Sequence, residues 1–344
     1  MITSLSSLMR RWSPPAGYRW RRQSTISFVA FHALVPLALT PWFFSWTGVA
    51  LAFVGFYLFN TVGIDVCFHR LLSHRSFKSP LWLERTLALL GVCGLQDSPT
   101  QWAATHRRHH RHTDEEQDPH SPLESVFWGH IGWLIVKEKD PHRSVLQQKY
   151  VADMLRDPFY RHIEKNTLWL WIFLGHAILF FGAGFLVGLT NDGTLAAGAR
   201  VGTSMFLWGV IVRVVYSWHA TWAVNSVAHL WGYRNYDTSD NSRNNWFLSL
   251  VTWGAGWHNN HHGDQRSAAH GHHRWWEFDG AYLTILALQC VGLAWDVTPR
   301  RRLHLLIDQP SAADPEVAAD PTVVPFRQPD QSTTEVPAQR DRAA

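Results

Sequence analysis

Histidines are the residues of this sequence whose types and spacing most directly suggest chemistry. The chain has 344 residues and 21 histidines. Eight of them fall into three clusters, which are His69 and His74; His106, His109 and His110; and His258, His261 and His262. Neutral imidazole nitrogens are good ligands for iron, zinc, copper and nickel. Eight such ligands are too many for one ion and suit two, so the clusters predict a dinuclear metal site.

The spacing within each cluster indicates how a helix would present it. Residues at i, i+3 and i+4 share one face of an α-helix, so the second and third clusters each predict three imidazoles on one face. His69 and His74 are five residues apart, which places them about 140° apart around a helix. They can reach one metal only where that helix ends or bends. A single cluster is easily explained as surface histidine, but three in one chain are not.

The composition indicates that these clusters belong to a membrane protein. Charged residues make up 17% of the chain, against about 25% in a soluble domain. A membrane span takes about 20 apolar residues, and the apolar stretches predict four spans, near 26–44, 47–65, 167–190 and 195–216. The net charge of +4 is modest and predicts no nucleic-acid partner.

Charge distribution orients the predicted spans. Residues 1–25 are basic and lie on the same side as the histidine clusters, whereas the loops on the other side carry almost no cations. The positive-inside rule therefore places the clusters and both termini in the cytoplasm. The expected fold is all-α, with four transmembrane helices and a cytosolic helical cap within residues 26–300, and a disordered tail over 301–344. Arg213 would be costly in the middle of a span and is expected near the cytoplasmic end, snorkelling or paired.

The order of the clusters, HxxxxH, HxxHH and HxxHH, resembles the membrane acyl desaturases, and the six-residue first box resembles their Δ9 branch. Five blocks carry the resemblance in order: HRLLSHRSFK at 69–78, WAATHRRHH at 102–110, DPHSP at 118–122, NSVAHLWGYRNYD at 225–237 and HNNHH at 258–262. The resemblance implies a ninth histidine ligand, His229, and a metal-bound water on Asn225. It also implies two non-haem irons that use O2 to insert a cis double bond, at Δ9 of a saturated C16 or C18 acyl chain.

Further site residues follow from the resemblance and from position. Four residues match those that line the bend of an acyl tunnel in that family: Gln96, Trp102, Thr221 and Trp222. On the second span, Phe53 and Tyr57 are bulky enough to close the end of such a tunnel and set chain length. Asp114 and Asp118 closely follow the second cluster and are suitable carboxylates for orienting imidazoles through the second ring nitrogen.

The acyl carrier, the electron donor and the reaction outcome stay open from the sequence. The substrate is a fatty acyl-CoA, an acyl-carrier protein or an acyl-lipid. Without a haem module, a Cys-rich iron–sulfur motif or a GxGxxG fingerprint, the electrons must come from a separate ferredoxin, rubredoxin or b-type cytochrome with its reductase. Arg107, Arg108 and Arg111 could meet an acidic donor or coenzyme A phosphates.

Two other functions use the same histidines. A membrane hydroxylase or alkane monooxygenase would leave oxygen in its product. A metal transporter would need ligands within the spans, and the first two predicted spans contain one histidine, His32. The flanking blocks favour a desaturase, and the complete ligand set argues against a non-catalytic binding protein.

Overall fold

The computed structural model describes residues 18–138 and 143–299, which are helical apart from one pair of short strands. In the first half of this part the elements are β1 (Tyr18–Trp20), α1 (Arg22–Ala38), α2 (Trp46–Gly55), a π-helical segment (Phe56–Ser73), α3 (Leu81–Val92), α4 (Pro99–Arg111), a second π-helical segment (Trp128–Gly132), α5 (Trp133–Ile135) and β2 (Val136–Glu138). In the second half they are α6 (Arg143–Tyr150), α7 (Ala152–Leu155), α8 (Pro158–Glu164), a 3₁₀ turn (Lys165–Thr167), α9 (Leu168–Asp192), α10 (Leu195–Phe206), a third π-helical segment (Leu207–Val212), α11 (Arg213–Ser226), a second 3₁₀ turn (Val227–His229), α12 (Trp246–Val251), α13 (His258–Gly263) and α14 (Gly280–Cys290). The predicted tail over 301–344 and residues 1–17 of the basic segment lie outside the described residues.

Three helices in the described part are long and apolar enough to cross a membrane. They are Trp46–Ser73, Pro158–Asp192 and Leu195–His229, and they contain the second, third and fourth predicted spans. The first and third of these helices extend beyond the predicted span towards the histidines, and the second begins nine residues earlier than predicted. The first predicted span corresponds to α1, which has 17 residues and is not among the three. The all-α fold and a membrane-embedded chain are thus supported, while the count of four spans stays a prediction.

Small residues let these helices pack closely. A Cβ atom at Gly63 would collide with the backbone of Gly91 in α3, and one at Gly184 in α9 would lie 2.9 Å from the Cα of Gly202 in α10. Close backbone approach through small residues is a common way for membrane helices to associate, because van der Waals contact rather than hydrophobic transfer holds them together in lipid. This packing fixes the spans on which the histidines are mounted.

The two short strands join the start of the chain to the segment that follows the second histidine cluster. β1 and β2 are antiparallel, with Trp20 opposite Val136, and the Arg21 N–H donates to the Ile135 carbonyl at 2.8 Å. The sequence analysis did not predict this pair. It connects the beginning of α1 to the segment that ends at Ile135.

Arg213 does not snorkel, and its contacts lie inside the helix bundle. This residue lies at the middle of the Leu195–His229 helix, and its side chain is 0% exposed, so it does not snorkel to an aqueous surface. Its Nε donates to the Gly209 carbonyl at 2.7 Å and its Nη1 to the Cys93 carbonyl at 2.9 Å. Backbone oxygens, rather than a carboxylate, therefore hold the guanidinium inside the bundle.

Candidate metal centre

Nine histidines from four segments of the chain converge into two groups. The first group contains His69, His74, His106, His110 and His261, and the second contains His109, His229, His258 and His262. Within each group the candidate ligand nitrogens lie within 4.8 Å of one another. All nine residues are the histidines singled out from the sequence. The structure brings together the three clusters and His229, which are separated by up to 193 residues along the chain.

The first cluster converges because its helix changes register. From Phe56 to Ser73 the backbone is π-helical, and the His74 N–H donates to the His69 carbonyl at 3.1 Å, an i→i+5 bond. Residues five apart lie nearly above each other in this geometry, and the helix ends at Ser73. The π-helical register and the end of the helix at Ser73 therefore both help His69 and His74 to reach one metal position.

The second and third clusters do not each serve one metal position, and their spacing alone did not assign individual histidines to a position. Helix α4 gives His106 and His110 to the first group and His109 to the second. Helix α13 does the reverse, giving His258 and His262 to the second group and His261 to the first. The i and i+4 residues stay together, and the residue between them turns to the neighbouring group, so α4 and α13 each bridge the two positions.

The spacing of the ring nitrogens fits metal ligation. The Nε2 atom of His106 lies 2.7 Å from that of His74 and 3.0 Å from that of His110. The Nε2 atom of His261 lies 2.8 Å from that of His110 and 3.0 Å from that of His69. Imidazole nitrogens bind first-row ions at about 2.1 Å, so neighbouring ligands at right angles would be about 3.0 Å apart. The first group has the spacing of such a ligand shell.

Carboxylates fix the tautomer of four of these imidazoles. The Nδ1 atom of His69 lies 2.9 Å from Asp65, that of His109 2.9 Å from Asp118, that of His229 3.3 Å from Asp114, and that of His262 2.7 Å from Asp240. A proton on Nδ1 that is donated to a carboxylate leaves the Nε2 lone pair free for a metal. In the described part of the chain, the Nε2 atoms of His109 and His262 are buried and have no hydrogen-bond partner, which suits ligands that face an ion.

The electrostatics of the centre favour neutral imidazoles and ionised carboxylates. Burial, with smaller contributions from neighbouring imidazoles, holds the pKa values of His106, His110 and His258 well below the usual range. Burial lowers the pKa of His262 to about 4 even though Asp240 opposes that shift. For Asp118 burial alone would raise the pKa, but electrostatic attraction to the His109 and His120 rings and hydrogen bonds from His109 and the Asp114 backbone N–H lower it. Metal ligation needs neutral imidazoles.

Sequence reasoning identified two of the four carboxylates. Asp114 and Asp118, which were named from the sequence, lie beside His229 and His109, whereas Asp65 and Asp240 were missed. Asp65 had a signal, because it precedes His69 by one helical turn on a helix that reaches the metal site. Asp240 lies 22 residues before His262, and no local pattern connects them.

Buried His270 also lies in this region, with its ring centroid 4.4 Å from that of His261. Asn225 lies on α11 four residues before His229 and is partly buried. Its role through a bound water stays a prediction.

Three of the predicted tunnel residues form one hydrogen-bonded network beside the first group. The Gln96 amide donates to the Thr221 hydroxyl at 3.0 Å, and the Trp102 indole N–H points to the Gln96 oxygen at 3.4 Å. The Trp102 ring stacks on His106 with centroids 5.0 Å apart. Asn60, which the sequence analysis missed, accepts from Gln96 at 3.1 Å. This network ties the spans to the metal centre.

The other predicted substrate residues lie elsewhere. Trp222 stacks on Trp218 with centroids 5.5 Å apart, in a separate apolar cluster. The Tyr57 hydroxyl lies 2.8 Å from the Thr284 hydroxyl of α14, and its role at the end of an acyl path stays a prediction. Phe53 is 69% exposed, and the expectation that it closes an internal tunnel is wrong.

Part of the basic surface expected near the second cluster is engaged in contacts within the protein. Arg107 pairs with Asp153 at 2.8 Å and donates to the carbonyls of Leu72 and Ser73 at 2.8 and 3.0 Å. Arg107 therefore braces the end of the helix that carries the first cluster. Arg111 is exposed at the end of α4.

Comparisons with known proteins agree with this geometry. Residues 41–277 match the family described as fatty acid desaturase. The sn-1 stearoyl-lipid 9-desaturase of Anabaena variabilis is 39% identical over 80% of this chain and 92% of its own length. The sn-2 palmitoyl-lipid 9-desaturase of Nostoc sp. (strain 36) is 40% identical over 79% and 88%. The icosanoyl-CoA 5-desaturase of Limnanthes douglasii is 36% identical over 81% and 74%.

Proposed function

The chain belongs to the fatty acid desaturase family, and from that premise we propose that it inserts a cis double bond at Δ9 of a saturated C16 or C18 acyl chain carried by a membrane lipid. The observation that carries the proposal is the convergence of nine histidines into two groups beside helices long enough to span a membrane. The 9-desaturase relatives, named for stearoyl-lipid and palmitoyl-lipid substrates, support this bond position and this carrier.

The two histidine groups would each hold one iron. Their Nε2 spacing near 3 Å and the carboxylates behind four of the imidazoles suit this role. The bound irons supply the O2 activation needed to remove hydrogen from an unactivated methylene. Asn225, through water, would complete the second group, since it is one turn from His229.

The protein's part in the reaction is to hold one methylene pair in position. An alkyl chain offers many methylenes of nearly equal reactivity, so only placement selects a bond. The Gln96 network spans three segments next to His106, and we assign to it the bend of the acyl path. Trp102 forms a wall between that path and the first group. To Trp222, which stacks on Trp218 in a separate apolar cluster, we assign a packing role.

Acyl-CoA is the second candidate carrier, supported by the icosanoyl-CoA 5-desaturase among the relatives. The two carriers make different demands on the cytosolic surface, because coenzyme A brings several phosphates. Arg107 is already engaged by Asp153 and two carbonyls, which leaves fewer free cations at this position and favours the lipid carrier.

The proposed topology has four spans with the histidines, both termini and the helical cap in the cytoplasm. It rests on the three long helices together with α1, and on the positive-inside distribution. A cytosolic centre can receive electrons from a soluble donor. A separate ferredoxin, rubredoxin or b-type cytochrome with its reductase fills that role.

The proposal is tested by expressing the full chain in a desaturase-deficient host with candidate donors and analysing its lipids. We expect a new cis-Δ9 monoene with the wild type and none with His261→Ala, which removes a ligand of the first group. His162→Ala changes an exposed histidine of α8 and should behave as the wild type. Appearance of the monoene first in intact glycerolipids supports the lipid carrier, and appearance first in acyl-CoA supports the second candidate.

Other products would overturn the assignment. A product that has gained oxygen instead of losing two hydrogens would make the chain a hydroxylase. Lipids that stay unchanged with every donor, although the protein is inserted and loaded with iron, would remove the desaturase assignment for this chain.

A further inference from the structure

A second cluster of unpartnered polar groups lies inside the membrane helices, away from the histidine groups. Its centre is Arg213, at the midpoint of the Leu195–His229 helix and 0% exposed. Two of its guanidinium nitrogens donate to the Gly209 and Cys93 carbonyls. The third, Nη2, is buried and has no hydrogen-bond partner among the described residues.

Neighbouring side chains present further polar atoms of the same kind. Ser217 lies one helical turn after Arg213 on the same face, is 0% exposed, and its hydroxyl has no partner within the described part of the chain. His176 of α9 is likewise unpaired at both buried ring nitrogens. Arg213 and His176 both lie against the Phe59 ring, at 4.5 Å and 4.8 Å from its centroid. Arg213 and His176 thus contact the same aromatic ring, and Ser217 lies one helical turn from Arg213.

The space for this cluster is built into the helices. A Cβ atom at Gly55 would lie 2.7 Å from the Cδ of Arg213, so glycine is what allows the arginine to pass along α2. A Cβ atom at Gly209 would collide with Phe180, whose ring packs 4.8 Å from that of His176. The two glycines therefore leave room for the Arg213 side chain and its neighbours inside the helix bundle.

The cluster carries a charge with no counter-charge. An arginine side chain stays protonated in proteins, and a buried cation is stable only when paired and hydrogen-bonded. In the part of the chain that the structure describes, no carboxylate forms an ion pair with Arg213. The dipoles of the Gly209 and Cys93 carbonyls offset part of the Arg213 charge. Each donor group that lacks a hydrogen-bond partner would be satisfied by a bound acceptor. Ionisable residues within spans commonly mark ion or substrate sites.

We propose that Arg213, Ser217 and His176 form a binding site for a small monovalent anion, with chloride as its probe. The anion would accept from Nη2 of Arg213 and from the Ser217 hydroxyl, and His176 would donate one ring N–H. Its charge would neutralise the guanidinium inside the bundle. The site is distinct from the metal centre and does not depend on the desaturase assignment.

The test uses the iron-loaded full chain in detergent, titrated with chloride against gluconate at constant ionic strength. We expect ³⁵Cl NMR line broadening that bromide reverses, and a saturable rise in Tm on the order of several degrees. Arg213→Met should abolish both responses. Arg200→Met is the matched control, because Arg200 lies in the same long helix but is 51% exposed and lies 4.0 Å from Asp192. It should respond as the wild type does.

Ser217→Ala keeps the charge and removes one donor, so it serves if Arg213→Met fails to fold. We expect its apparent affinity for chloride to fall about five- to tenfold. No broadening in the wild type, an Arg213→Met response equal to that of the wild type, or unchanged affinity in Ser217→Ala would each overturn the proposal. Because iron loading is the same in all variants, a response that comes from the metal centre would persist in Arg213→Met and would be recognised.

Discussion

The two histidine groups of the metal centre differ in how their ligands are supported. Among the described residues, one of the five histidines of the first group, His69, pairs with a carboxylate. Three of the four in the second group do so, through Asp118, Asp114 and Asp240. In the first group the Nδ1 atoms of His110 and His261 have no partner in the described structure. The second group is therefore the more strongly oriented and the more negatively charged of the two.

The difference is consistent with different tasks for the two positions. A carboxylate behind an imidazole fixes its ring and makes it a stronger ligand, so the second group is built to hold its ion tightly. The first group instead touches the proposed acyl path, because Trp102 stacks on His106 and connects through Gln96 to the spans. We expect the first position to be the more exchangeable and the more sensitive to substrate.

Removing a ligand from either group gives the largest expected effect. His229→Ala removes a quarter of the second group, and we expect activity to fall to background and bound iron to fall from about two to about one per chain. The iron that remains should be the one held by the first group. Iron content and product formation measure this, with His162→Ala as the control. Retention of both irons with full activity would contradict the assignment of His229.

Removing a supporting carboxylate should have a smaller effect that separates the groups. Asp240→Asn keeps the shape but weakens the support of His262, which Asp240 contacts at 2.7 Å. We expect iron affinity of the second position and activity to fall about 10- to 100-fold. Asp237→Asn alters an exposed neighbour and should match the wild type. An equal loss of iron from both positions would remove the distinction drawn between the groups.

The sequence was informative about ligands that are close together along the chain. Spacings of three, four and five residues were enough to select eight histidines, and family blocks added His229. Spacing could not show that His109 and His261 turn away from their neighbours, because that depends on how α4 and α13 cross. Tertiary pairing also determines Asp240 and Asn60, which bond to residues 22 and 36 positions away.

The interior of the spans was the least predictable region. Hydropathy located the apolar stretches, but the π-helical register over Phe56–Ser73 has no composition signature. Snorkelling was expected as one alternative for Arg213 because long cationic side chains near the end of a span usually reach water. The glycine at position 55 and the carbonyls of Gly209 and Cys93 instead accommodate its burial.

The far end of the acyl path offers a prediction that leaves both metal groups intact. Tyr57→Ala removes the hydroxyl that bonds to Thr284 and the ring whose centroid lies 5.2 Å from that of Trp253. If Tyr57 limits the path, we expect longer acyl chains among the products and a several-fold smaller change in total activity than for Asp240→Asn. Fatty acid profiling gives the result. Thr284→Val removes only the hydrogen bond and should keep the chain-length profile. An unchanged profile in Tyr57→Ala would show that another residue sets chain length.

The smallest effect is expected at the Arg107–Asp153 pair, which supports the end of the helix that carries the first cluster. Asp153 accepts from Arg107, which donates to Leu72 and Ser73 just before His74, and also accepts from Arg75. Burial alone would raise the pKa of Asp153, but hydrogen bonds and charges from Arg107 and Arg75 lower it. A pKa below the unfolded value of about 3.9 gives stability that is complete above that pH and is lost as the pH falls through the folded pKa.

Asp153 is 43% exposed, so solvent screening limits its contribution to the free energy of unfolding to about 0.5–1 kcal/mol. We expect Asp153→Asn to lower Tm by a few degrees at pH 7 and to converge with the wild type as the pH falls below about 4. Asp192→Asn, at a looser exposed pair, should change Tm less. A difference between Asp153→Asn and wild type that persists unchanged in acid would mean that the carboxylate charge does not brace the first group. If the difference does converge while the iron of the second position is unaffected, the two groups are supported independently.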